Sequence, residues 1–292
     1  MLRPAALTLA VFGPGLLGGS LLHDARALNF KSLRVWARRE ESLGEVQSLG
    51  LADFTSTRAA EVAEGADLLV LCVPVGGMKS LAQQIAGATT APGAVFTDVG
   101  SVKGLVMGEV APVFTAAGAE FCGSHPMAGS DKGGLANARA GLYQNAACIL
   151  TPAAIGGDAP ALLHGFWRLL GSRTHVMDAA THDTAVARIS HLPHVAAVLT
   201  ALAAMRPEPG YAAFAAGGLR DTTRVANGDP SMWCEILMEN REAILPALRD
   251  LAACNAHIIE SLETGDAAAL NALLSEARAL RASRYPDSPD AP

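Results

Sequence analysis

The segment Gly13-Pro14-Gly15-Leu16-Leu17-Gly18 constrains this chain more than any other, because of what stands on either side of it. It follows directly on a short apolar run at 7–12 and opens a stretch of helical length. A G-x-G-x-x-G between a strand and a helix uses each glycine differently: the first for a tight turn, the second to let backbone approach a pyrophosphate, the third for close helix-sheet packing. The helix behind it offers free N–H groups and the positive end of its dipole to the phosphates. This context points to a dinucleotide site. The same glycines, with Pro14, interrupt the apolar stretch 5–22, which by charge alone resembles a signal peptide or a membrane span. No small-residue cleavage site closes that stretch, and it reads as folded core.

Further short apolar runs, bounded by turn residues, stand at 33–37, 68–73, 94–98, 147–151 and 174–177, with helical lengths between most of them. Continuous apolar runs suit strands buried on both faces, and strand-helix alternation gives a parallel sheet covered on both sides. Past about residue 178 the strand signals stop, and 181–205 and 232–261 are Ala- and Leu-rich with a helical period. The expected architecture is α/β: an N-terminal doubly wound parallel sheet over 1–178, an all-α domain over 179–283 and a flexible tail over 284–292. The length of 292 residues suits two domains. Asp229-Pro230 marks a helix start, and Gly265 with Asp266 ends one helix and caps the next, which runs to about Arg281. The helical half carries more apolar surface than one layer covers, so it is expected to pack against a second copy of the chain.

Twenty-two basic against 28 acidic residues give a net charge of -6, which disfavours nucleic acid and anionic membrane surfaces as partners. Five scattered cysteines without a C-x-x-C pair fit a reducing compartment, and a cytoplasmic location is expected. At the end of the second apolar run, Val35-Trp36-Ala37 leads into Arg38-Arg39, with no carboxylate where NAD enzymes hold the adenosine ribose. An arginine there pairs with a 2′-phosphate, so NADP is favoured, with NAD open if Glu40 or Glu41 takes the ribose. The residues expected around the cofactor are Gly13, Gly15, Leu16, Leu17, Gly18, Arg38, Arg39, Val73, Pro74 and Ser101.

Two segments bring candidate chemistry to this nucleotide end. Asp98-Val99-Gly100-Ser101-Val102-Lys103 follows the run at 94–98 and puts Ser101 at the carboxyl edge of the sheet, as a ligand group or a helix cap. Gly123-Ser124-His125-Pro126-Met127-Ala128-Gly129-Ser130-Asp131 is a glycine-bounded segment in which Pro126 biases His125 toward an extended backbone. A hydride acceptor needs a base for the hydroxyl proton, and imidazole titrates near working pH.

With Ser190-His191-Leu192-Pro193-His194, Gly217-Gly218-Leu219-Arg220-Asp221-Thr222-Thr223-Arg224 and Asn227-Gly228-Asp229-Pro230-Ser231-Met232-Trp233, the chain resembles the prephenate/arogenate dehydrogenase family of tyrosine biosynthesis. The resemblance runs from about Leu7 to about Arg281. It implies a Rossmann-type domain followed by a helical dimerisation domain, hence a homodimer, with no metal. It implies hydride transfer from C4 of a cyclohexadienyl alcohol to NAD(P), proton transfer to a histidine, and loss of the ring carboxylate as carbon dioxide. Carried over by motif, His125 is the base and Ser101 hydrogen-bonds the hydroxyl and holds His125 in its productive tautomer. Arg224 binds a substrate carboxylate. Arg220 joins it, or forms an ordinary salt bridge with Asp221. His191 and His194 line the pocket, one of them on a carboxylate or both as core groups; Asp131 partners Arg224 at the rim, and Trp233 packs there. The chain as it stands leaves room for neither a fused mutase nor a regulatory domain, so any tyrosine feedback is expected to act by competition. The rival readings are another dehydrogenase of the same two-part plan, of β-hydroxyacid or imine reductase type, with a lysine base, and a non-catalytic nucleotide-binding protein.

Overall fold

Five consecutive residues with no polar break beyond Thr8 form the first strand, β1 (Thr8–Phe12), and every one of them is buried. Burial on both faces is what a continuous apolar run demands: Leu9 and Val11 join one core layer, Ala10 and Phe12 the other. The same division recurs in β4 (Leu68–Leu71), where Leu68 and Val70 face one layer and Leu69 and Leu71 the other. The computed structural model describes residues 2–130, 132–153 and 157–285.

Around these two strands lies an eight-stranded sheet, completed by β2 (Ser32–Trp36), β3 (Phe54–Ser56), β5 (Val95–Asp98), β6 (Glu120–Pro126), β7 (Ala147–Pro152) and β8 (Arg173–Val176). The order is β3-β2-β1-β4-β5-β6-β7-β8, parallel throughout except for the antiparallel β6–β7 pair. The chain leaves β1 toward β2 and returns to its other side as β4, so the crevice beyond the carboxyl ends of β1 and β4 is the switch point where such sheets take ligands.

Two strands depart from the sequence expectation. β3 is three residues long and none of its residues is buried, too short and too polar to show as an apolar run. β6 contains Gly123, Ser124, His125 and Pro126, residues that read as a glycine-bounded segment, yet all four are buried in the sheet. The expected long helix at 232–261 is two helices, Pro230–Glu239 and Arg241–Thr264, parted at Asn240. The run at 181–205 is a helix interrupted by a π turn: Ala179–Val186, then Ala187–His191, then Leu192–Met205.

The expected caps are present. Asp229 accepts from Met232 N at 2.8 Å, and Asp266 from Ala269 N at 2.9 Å behind Gly265, which has φ +70°. The last helix, Ala267–Arg284, runs three residues past Arg281, and the expected tail beyond Tyr285 lies outside the described residues. The chain forms two compact units that meet in sequence between Arg241 and Glu242, so the helices at 179–239 belong to the same unit as the sheet.

Candidate active site

The nucleotide end forms at the switch point. Gly13 has φ +107°, and a Cβ there would stand 2.7 Å from the carbonyl oxygen of Cys72. A Cβ on Gly18 would collide with the carbonyl oxygen of Gly13, whereas one on Gly15 would meet nothing within 4 Å. The first and third glycines therefore serve turn and packing, and the second opens onto free space at the start of the helix Leu16–Ala27. Gly13, Gly15, Val73 and Pro74 line one groove with Arg38 and Arg39. Both arginines are exposed and have no hydrogen bond or ion pair among the described residues. Beyond Arg39, Glu41 also borders the groove, while Glu40 accepts from Thr57 Oγ1 at 3.3 Å. These residues fit a dinucleotide: backbone and helix end for the pyrophosphate, guanidinium groups at the adenosine end.

The chemistry gathers where β5 and β6 end. Asp98 and Lys103 are both completely buried and paired. Asp98 also accepts from Gly100 N at 2.7 Å and Ser124 N at 3.1 Å, and Lys103 Nζ donates to Ser124 O at 3.0 Å. Ser124 Oγ lies 2.7 Å from Thr97 Oγ1 and accepts from Trp167 Nε1 at 3.0 Å. This buried network ties the two strand ends together, and the next residue of β6 is His125, 7% exposed. Burial, then neighbouring His182, Lys103 and His191, hold the His125 pKa well below the ordinary 6.5, so its imidazole is neutral.

His125 Nδ1 lies 2.8 Å from His182 Nε2. That corrects one expectation: the hydrogen-bond partner of His125 is His182, not Ser101. The Ser101 side chain is part-buried in the bend after β5 and has no hydrogen bond among the described residues. His182 Nδ1 in turn lies 2.7 Å from Asp183 Oδ1. Asp183 accepts from the backbone N–H groups of Lys103 and Gly104, each at 2.7 Å. Asn240, the residue between the two helices, donates from Nδ2 to Asp183 O at 3.0 Å and lies 3.1 Å from His191 Nδ1. Burial lowers His191 to a pKa of about 4.

His194 stacks on Trp233 with ring centroids 3.4 Å apart and planes 10° from parallel, and its Nδ1 is buried without a hydrogen-bond partner among the described residues. His191 meets the same indole edge-on at 6.1 Å. The structure thus brings His125, His191, His194 and Trp233 into one cluster. It leaves the arginines at the surface: Arg220 pairs with Asp221 at 3.3 Å, and Arg224, exposed, has no partner among the described residues. Asp131 lies outside the described residues. His182, Asp183, Lys103, Asp98 and Asn240 are site residues that motif reading missed. The available signal was an adjacent His-Asp pair inside an Ala-rich helical run.

A doubly wound dinucleotide domain with a neutral, buried histidine at its carboxyl edge, joined to a helical segment, defines a nucleotide-dependent dehydrogenase. Two family models match: the prephenate dehydrogenase nucleotide-binding domain over residues 28–176, and the prephenate dehydrogenase dimerization domain over 178–276. The chain belongs to the prephenate dehydrogenase family and is an oxidoreductase. It is 31% identical over 246 residues to the cyclohexadienyl dehydrogenase of Zymomonas mobilis, covering 82% of this chain and 83% of that one. It is 29% identical over 276 residues to the prephenate dehydrogenase of Lactococcus lactis, covering 94% and 76%. Among solved structures it is similar to prephenate dehydrogenase from A. aeolicus in complex with hydroxyphenyl propionate and NAD+, with a TM-score of 0.83, 28% identity, and 95% and 98% of the two chains covered.

Proposed function

We propose that this chain oxidatively decarboxylates prephenate, arogenate or both in tyrosine biosynthesis, with NADP as its preferred cofactor, and that His125 is the base. One observation carries the assignment: His125 is buried near the carboxyl end of β6, on the same sheet edge as the glycine turn, and burial holds its pKa well below the ordinary value. The nicotinamide ring, when bound, accepts the hydride that leaves C4. His125 takes the 4-hydroxyl proton as the C4 carbonyl forms, and the ring carboxylate then departs as carbon dioxide, leaving an aromatic product. Ser101, with no hydrogen bond among the described residues, is available to orient that hydroxyl.

Arg224 is assigned to a substrate carboxylate, with Arg220 as the second cation once released from Asp221. His194, whose orphaned Nδ1 supports a polar ligand, lines the pocket with His191 and Trp233. Asp131 stays assigned to the rim by motif alone. Arg38 and Arg39 support NADP, since no carboxylate among the described residues engages them. We take 1–178 as the nucleotide-binding domain and 179–283 as the helical one, and the protein as a homodimer. All five cysteines are free thiols, which supports the cytoplasm.

His125→Asn tests the assignment. Turnover should fall by about 10² to 10⁴, with the dissociation constant for the nucleotide unchanged. An equal loss of nucleotide affinity, or undiminished turnover, would remove His125 from this role.

A further inference from the structure

We propose that His182 and Asp183 form a relay that fixes His125 with its proton on Nδ1, so that Nε2 is the basic atom. The proposal rests on His125 being the base, and it adds two positioning residues to that reading.

Asp183 is the fixed end of the relay. Its Oδ1 accepts Lys103 N–H and its Oδ2 accepts Gly104 N–H, both at 2.7 Å, and backbone N–H groups only donate. A carboxylate held this way is acceptor-only, so the 2.7 Å contact with His182 Nδ1 places a proton on that nitrogen. In a neutral imidazole the other nitrogen is then a bare acceptor. The 2.8 Å contact between His182 Nε2 and His125 Nδ1 therefore has His125 as donor. This leaves the lone pair of His125 on Nε2, the one ring nitrogen with no protein partner among the described residues. An imidazolium at His182 would reverse the bond, put the proton of His125 on Nε2 and abolish the base.

The relay also joins the base to the docking of the helical segment. Asp183 stands on the helix Ala179–Val186, while Lys103 and Gly104 open the helical turn behind β5 and Ser101. The tautomer of His125 is correct only while Asp183 caps that turn. When His125 takes the hydroxyl proton at Nε2, its Nδ1–H bond stays in place and the Asp183 carboxylate lies two bonds down the chain to stabilise the new charge.

The test is a long-range proton-nitrogen correlation spectrum of the intact protein labelled with ¹⁵N-histidine, near neutral pH, alongside steady-state kinetics of His182→Leu, His182→Gln and Asp183→Asn. The wild type should show His125 protonated at Nδ1 and bare at Nε2. His182→Leu removes the acceptor but leaves the Asp183 cap intact, so it stays informative if Asp183→Asn fails to fold. Its kcat should fall on the order of 10²-fold with KM within about threefold, and the His125 signals should show mixed tautomers. His182→Gln, whose carbonyl can accept the bond, should recover part of kcat. A wild-type His125 protonated at Nε2, a charged His182, or wild-type kcat in His182→Leu would overturn the relay. His125→Asn run in parallel separates the two readings: if it too keeps full turnover, the base assignment falls, and if it alone is dead, only the relay falls.

Discussion

Lys103 and Asp98 are completely buried, and among the described residues they pair with each other and with backbone groups. Removing one partner of such a pair leaves a buried charge with nothing to offset it. Lys103→Met should therefore destabilise the fold by about 3 to 5 kcal/mol, read as a lower denaturant midpoint; a change below about 1 kcal/mol would mean that the pair is hydrated. At this scale the sequence was only partly legible. The motif through Lys103 and the segment around His125 are visible as residue strings, and Pro126 correctly marks His125 as extended. Partnership is not visible. The contact of His125 with His182 spans 57 positions and that of Lys103 with Asp183 spans 80, so no local spacing encodes them.

Among the elements, the π turn Ala187–His191 explains why helical periodicity misplaces the histidines. At about 100° per residue, His182 and His191 would lie on opposite faces of a regular helix. One inserted residue sets the later ones back by about 100°, which returns His191 and His194 to the His182 side. β6 was missed for a comparable reason: Gly, Ser, His and Pro punctuate a chain locally, but Thr97, Trp167 and Lys103 satisfy the polar groups of this strand and let it be buried. The helical run Ala179–Met205 is long and apolar enough to cross a membrane. Its buried polar residues His182, Asp183, His191 and His194 belong to the site, however, and of its exposed apolar residues Ile189, Leu199 and Leu202 the last two lie three apart on one face of Leu192–Met205. We assign that face to a second copy of the chain. Equilibrium sedimentation at micromolar concentration should give a dimer, shifted toward monomer in the double variant Leu199→Glu, Leu202→Glu. A monomeric wild type would contradict this assignment.

For the whole molecule, the strand order places the glycine turn after β1 and Val73-Pro74 after β4 on the same crevice, and β5 and β6 carry Ser101 and His125 to the same edge. The doubly wound plan was legible because apolar runs and glycines record it directly, while the sheet's antiparallel pair and the histidine relay are products of tertiary packing. The assigned chemistry is tested most directly by reduced-nicotinamide formation by the purified protein in a two-by-two comparison, prephenate or arogenate with NAD or NADP, read as kcat/KM. Turnover with at least one substrate, and a higher value with NADP, is the expected result. Higher values with NAD would return Arg38 and Arg39 to the solvated surface, and silence in all four combinations while nucleotide still binds would contradict the assigned chemistry.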